Sequence, residues 1–126
     1  MIEPEFLTWD DVLHLHGRSL AEHGGSVGIR DRGLIESAIA QPQQDYFYGG
    51  ADRFAIAAGY AFHIAQAQAF LDGNKRTAIA AALTFLNLNG IATRGHGDEI
   101  YDAMIAIAER RMDKPGLAAL FREFFA

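Results

Sequence analysis

Gln68-Ala69-Phe70-Leu71-Asp72-Gly73-Asn74-Lys75-Arg76-Thr77 lies between two alanine-rich helical patterns and decides how the chain is read. Five consecutive residues, 72 to 76, bring together an acid, a glycine, an amide and two cations. That grouping suits a phosphate and its metal ion. Backbone N–H groups at a helix N-terminus attract anions. Gly73 allows close backbone approach. Lys75 and Arg76 supply positive charge, and the guanidinium fork of Arg76 suits a pair of oxygens. Asp72 is the hard oxygen ligand that Mg²⁺ prefers. Gln68 stands just ahead of the loop, where a proton acceptor would be most useful, and an amide does not take up a proton at ordinary pH.

Periodicity around this loop predicts an all-α chain. Thr8 and Asp11 read as a capping box, followed by an apolar face through Val12, Leu13, Leu15, Leu20 and Ala21 to about Glu22. Gly24-Gly25 ends that helix. Asp31 is the expected N-cap of a short helix carrying Leu34, Ile35, Ala38 and Ile39, stopped by Pro42. From Gln41 to Asp52 the helical pattern breaks. Tyr46-Phe47-Tyr48 favours extended backbone and Gly49-Gly50 a turn, so this stretch reads as a short flap or hairpin before the central helix. Arg53 to about Ala69 is apolar on most sides, which predicts that buried central helix. A second buried helix runs from about Lys75 to Asn89, with Gly90 after it. Asp98 is the expected N-cap of a helix to about Arg111, and Asp113 with Pro115 opens the last one. The expected architecture is a compact bundle of about six helices in one domain, residues 1–126.

The bulk properties exclude several classes. The 126 residues are half hydrophobic, enough for a core without covalent staples. There is no Cys, so disulfides and thiolate metal sites are excluded, in keeping with a reducing cytoplasmic setting. No apolar run reaches the roughly 20 residues of a membrane span, so no membrane association is expected. The acidic start, Met1-Ile2-Glu3-Pro4-Glu5, has no signal-peptide character. A formal net charge of −5 argues against direct nucleic-acid binding, although the Lys75-Arg76 loop is a local cationic exception.

The 68–76 stretch resembles the motif of the Fic/Doc family: His-x-Phe-x-(Asp/Glu/Asn)-(Gly/Ala)-Asn, then Gly or Lys, then Arg. Every position matches except the first, which is Gln68. The Lys75-Arg76 ending is similar to the Doc, or death-on-curing, branch. The likeness extends to His23-Gly24-Gly25, to Gly28-Ile29-Arg30-Asp31, to Leu34-Ile35-Glu36-Ser37-Ala38, and to the helix from Ala80 to Gly90. The resemblance implies a toxin that transfers part of ATP to a hydroxyl of a host protein. Asp72 would help bind Mg²⁺, Gly73, Asn74 and Lys75 would line the anion pocket, and Arg76 would contact phosphate. Phe70 would anchor the loop in the core.

Gln68 occupies the place of the family's general base. Loss of such a base typically costs on the order of 10²–10⁴ in rate, so this chain is expected to be inactive or impaired. An engineered inactive form and a natural degenerate member both fit, and one exchange in an otherwise matching motif leans to the first. Doc-type toxins act on the translation factor EF-Tu, which implies translation arrest. Lys75 points to phosphorylation; AMP transfer, as in Fic proteins, and a non-catalytic corepressor that binds nucleotide or antitoxin are the alternatives.

The inhibitory pattern Ser/Thr-x-x-x-Glu-Gly/Asn of some Fic proteins is absent, Ser19 to Glu22 having one spacer too few. Inhibition is therefore expected from an antitoxin in trans. The histidines offer no substitute base. His63 lies about 500° around the helix from Gln68 at about 100° per residue, so it reads as an interhelix residue. His14 and His16 lie on different faces of the first helix, and His96 sits between two glycines.

Overall fold

A computed structural model describes residues 2–126, which form six α-helices and, among the described residues, no strand longer than a single bridge. They are α1 (Trp9–His23), α2 (Arg32–Gly49), α3 (Arg53–Ala67), α4 (Asn74–Leu88), α5 (Gly97–Ala108) and α6 (Lys114–Phe125). The expected all-α bundle is what forms. α3 is its axis: it packs against α4, α2, α6 and α5, and α1 covers α4. The reason lies in its side chains. Ile56, Ala57, Ala58, Gly59, Tyr60, Ala61, Ile64 and Ala65 are all buried, and the small ones let neighbouring helices approach closely. Tyr60 is the exception in size. Its hydroxyl accepts the Leu7 N–H at 2.9 Å, and burial pushes its pKa up to about 12.

Local signals set most helix starts. Thr8 and Asp11 form the reciprocal capping box, with bonds of 3.1 and 2.8 Å. Asp31, Asp52 and Asp113 accept N–H bonds at the starts of α2, α3 and α6. α5 differs from expectation: His96, with φ 61°, is the cap residue, and Asp98 lies in the first turn.

The expected flap does not form. Pro42 does not stop α2, which continues through Tyr46, Phe47 and Tyr48 to Gly49 and ends at Gly50 with φ 68°. A proline inside a helix removes one backbone bond and crowds the preceding turn, at roughly 3 kcal/mol. Here tertiary contacts offset that cost. Pro42 is buried against α3 at Gly59, where an added Cβ would lie 3.4 Å from Pro42 Cγ. Tyr46 packs edge-on against Phe6 at 5.8 Å.

Asp45, one turn further along α2, accepts from Lys114 Nζ of α6 at 2.9 Å. Lys114 Nζ also lies 3.1 Å from His63 Nε2 of α3, so His63 is the interhelix residue its sequence position suggests. Burial and the Lys114 ammonium hold the His63 pKa below its ordinary 6.5, with Asp45 pulling the other way. The unfolded chain therefore takes up this proton first as pH falls. The contribution of His63 to stability is fully present above pH 6.5 and is lost as pH falls from there through the lower folded-state value. His63→Gln, which keeps an acceptor for Lys114 but does not titrate, should flatten this part of the acid limb. Urea unfolding between about pH 5 and 8 checks it. An unchanged slope would mean that folding does not lower the His63 pKa.

Candidate active site

α3 and α4 run antiparallel, and the chain reverses between them through two left-handed residues, Gln68 (φ 50°) and Gly73 (φ 77°). Asn74 closes the turn. Its side-chain Oδ1 accepts from Phe70 N–H at 3.1 Å and its Nδ2 donates to Phe70 O at 3.0 Å. The Asn74 amide thus braces the loop. Phe70 itself is buried, as its motif position implies.

The fold gathers Gln68, Asp72, Gly73, Asn74, Lys75 and Arg76 around one cleft of about 280 Å³, which Tyr101 of α5 completes. No side chain caps α4. The N–H groups of its first turn have no intrahelical acceptor, so a polar ligand would satisfy them. Lys75 and Arg76 stand in that same first turn, against the helix dipole, and join none of the ion pairs among the described residues. An anion at this helix end answers both the open N–H groups and the cations.

Asp72 is exposed and shaped by backbone donors. Oδ1 accepts from Gly73 N–H at 3.0 Å and Oδ2 from Ser26 N–H at 3.2 Å. Each oxygen keeps a free lone pair. Among the described residues no cluster of three or more His, Asp or Glu could hold a metal ion. One carboxylate therefore does not make a cage for bare Mg²⁺. It does fit an ion that arrives on phosphate oxygens, the common mode for Mg²⁺.

Gln68 is exposed at the rim, and its Nε2 donates to Ala65 O at 2.8 Å. No proton acceptor of ordinary basicity stands at this position.

Three contributors come from distant sequence. The segment from Gly28 to Asp31 pairs with the loop: Arg30 and Asp31 N–H donate to Ala69 O at 2.6 and 3.1 Å, and Leu71 N–H donates to Gly28 O at 3.1 Å. His16 of α1 reaches Asp72 O at 2.8 Å and stacks on Phe70 with ring centres 3.8 Å apart. Tyr101 lines the cleft from α5. Spacing alone assigns His16 and Tyr101 to helix faces and gives no sign that they meet the loop. The double glycine after α1 is a signal that could have been followed: a Cβ on Gly25, whose φ is +123°, would stand 2.9 Å from Asp72 Oδ2.

The chain as a whole is similar to known proteins. A protein-family model described as the Fic/DOC family matches residues 6–86. The chain belongs to the Fic/DOC family. Toxin Doc of Mycolicibacterium smegmatis is 38% identical over 128 residues, covering 97% of this chain and 95% of that protein. Protein kinase doc of Escherichia phage P1 is 29% identical over 117 residues, covering 92% of each. The Fic/DOC match includes α1 through most of α4, so the cleft lies within it apart from Tyr101.

Gly25→Ala should displace the Asp72 carboxylate and destabilise the fold by more than about 1 kcal/mol, since the backbone there is unfavourable for a side chain and the space is filled. Gly17→Ala, in open space on α1, should be neutral or stabilising by up to about 1 kcal/mol. Urea unfolding of the two variants checks the contrast, and equal effects would refute the close-approach account of Gly25.

Proposed function

We propose that this Fic/DOC protein is the toxin of a toxin–antitoxin pair, built as an ATP-dependent phosphotransferase and weakened by Gln68 at the base position. The observation that carries this reading is the cleft. It combines a helix N-terminus with no side-chain cap, two cations that join no ion pair among the described residues and one partly free carboxylate. The names of the two relatives, Toxin Doc and Protein kinase doc, support it.

In the proposed reaction the oxygen of a target hydroxyl bonds to the γ-phosphorus of ATP, and the bond from that phosphorus to the β–γ bridging oxygen breaks. ADP leaves with the bridging oxygen, and the hydroxyl proton goes to a base. Lys75, Arg76 and the first N–H groups of α4 hold the phosphates and stabilise the charge that develops on them. Asp72 would hold Mg²⁺, which would supply positive charge against the phosphates. Asn74 keeps the loop in shape through Phe70. The missing part is the proton acceptor, because Gln68 offers only an amide. The proposed target is the translation factor EF-Tu, from the resemblance to Doc toxins, and an antitoxin in trans would cover the site. Among the described residues no helix is long and apolar enough to cross a membrane.

Gln68→His should restore transfer to EF-Tu or to a lysate protein by about 10² or more over the present chain. ATP labelled at the γ-phosphate should transfer its label and ATP labelled at the α-phosphate should not, because Lys75 fills the place that AMP-transferring relatives leave to glycine. Transfer of the α-label would favour the AMP-transfer reading; no transfer at all would show that more than the base is missing.

Nucleotide binding is separable from transfer. The present chain should bind ATP–Mg²⁺, and Arg76→Ala should weaken binding about tenfold, the loss of one charge-assisted contact. Calorimetry measures both. Equal affinities would make Arg76 a solvated first-turn residue.

A further inference from the structure

We propose that His16 is a positioning residue for the reaction loop: by holding the Asp72 carbonyl, it fixes the Asp72 carboxylate for the metal ion that accompanies the nucleotide. The proposal rests on the reading of Asp72 as the Mg²⁺ carboxylate and extends it to a residue on another helix, 56 positions earlier.

His16 is 6% exposed, although it carries two polar ring atoms. A buried polar group needs a partner. The Asp72 carbonyl, 2.8 Å from Nε2, is that partner. A carbonyl only accepts, so Nε2 carries the proton. The other ring contact sets the direction of this bond. The imidazole lies nearly parallel to Phe70, at an interplanar angle of 12° and a centroid distance of 3.8 Å. Phe70 is in turn held by both bonds to Asn74. The ring also underlies the turn itself, since a Cβ on Gly73 would lie 3.7 Å from His16 Cδ2.

Asp72 is thus held at both ends. Its carbonyl is fixed by His16 from within the bundle, and its carboxylate accepts from Gly73 and Ser26 on the outside. Removing the first restraint leaves the carboxylate held only by the Gly73 and Ser26 N–H groups, with the Asp72 carbonyl no longer fixed from within the bundle. Partners that orient a metal ligand typically change metal affinity by about 10–100-fold.

A histidine buried only for packing requires the ring. A positioning histidine requires the donor at Nε2. Substitution separates the two. Glutamine places an N–H as many bonds from Cα as His Nε2, so His16→Gln keeps the donor without the ring. His16→Phe keeps the ring without the donor. His16→Asn falls one bond short and keeps neither.

Calorimetry on the full chain, with ATP plus MgCl₂ and with ATP plus EDTA, tests the proposal. Expected for His16→Phe and His16→Asn is a loss of ATP–Mg²⁺ affinity of about tenfold or more. Metal-free ATP binding, which depends on Lys75 and Arg76, should be unchanged, and His16→Gln should resemble the parent under both conditions. Parental ATP–Mg²⁺ affinity in His16→Phe would overturn the role of His16 while leaving the nucleotide site standing. Glutamine as weak as phenylalanine, or equal losses with and without metal, would show a packing role and also overturn it. If His16→Phe does not fold, the glutamine–asparagine pair decides. A parent chain that binds ATP no better with Mg²⁺ than without would refute the Asp72 reading itself, and the role of His16 with it.

Discussion

The reversal between α3 and α4 is the constraint on which the rest of the molecule depends. The two most buried helices must run antiparallel, and only a short loop joins them. The chain achieves this with two left-handed residues and one side-chain amide. Gln68 accepts a φ of 50° that most side chains avoid, Gly73 does so without steric cost, and Asn74 ties the loop by replacing backbone bonds with its own. The same reversal leaves α4 without a cap and places its open N–H groups beside Lys75 and Arg76. Structural closure and the cleft at the start of α4 thus arise from one piece of backbone.

The surroundings of the loop show how a short exposed segment is kept in place. From one side the Gly28–Asp31 stretch lends it backbone bonds. From within, His16 and the buried Phe70 anchor it. The restraint is directional: Phe70 and the backbone of Asp72 are fixed, while the side chains of Lys75, Arg76 and Asp72 border the cleft. The proposed phosphate site would benefit from such preorganisation, because little reorganisation would be left when a ligand binds. Gln68 sits at the edge of this frame and is bonded back to Ala65, so it belongs structurally to the end of α3.

Much of this was legible in the sequence because the site is contiguous. Residues 68 to 76 carry the cations, the acid and the turn-forming glycine in one run, and each has a local physical reason to be there. The capping residues Thr8, Asp31 and Asp113 act within three residues of themselves, the range at which sequence reading is strongest. The central helix was readable because its apolar residues cover every side, which only a buried helix tolerates.

What failed was local reasoning about Pro42 and the aromatic run after it. Proline and Tyr46-Phe47-Tyr48 argue against helix by their own propensities, yet Gly59, Lys114 and Phe6 provide partners that make helix the better state. None of these partners is near in sequence, so no window along the chain contains the deciding term. The same holds for His16, which is one of several histidines on α1 until folding brings it under the loop. The sequence by itself determined the all-α class, the caps at Thr8, Asp31 and Asp113 and the composition of the loop from 68 to 76, because those depend on neighbours a turn away. Only the tertiary structure decided where α2 ends, which histidine meets Asp72 and that Tyr101 closes the cleft, because those depend on burial against residues that the chain reaches only by folding.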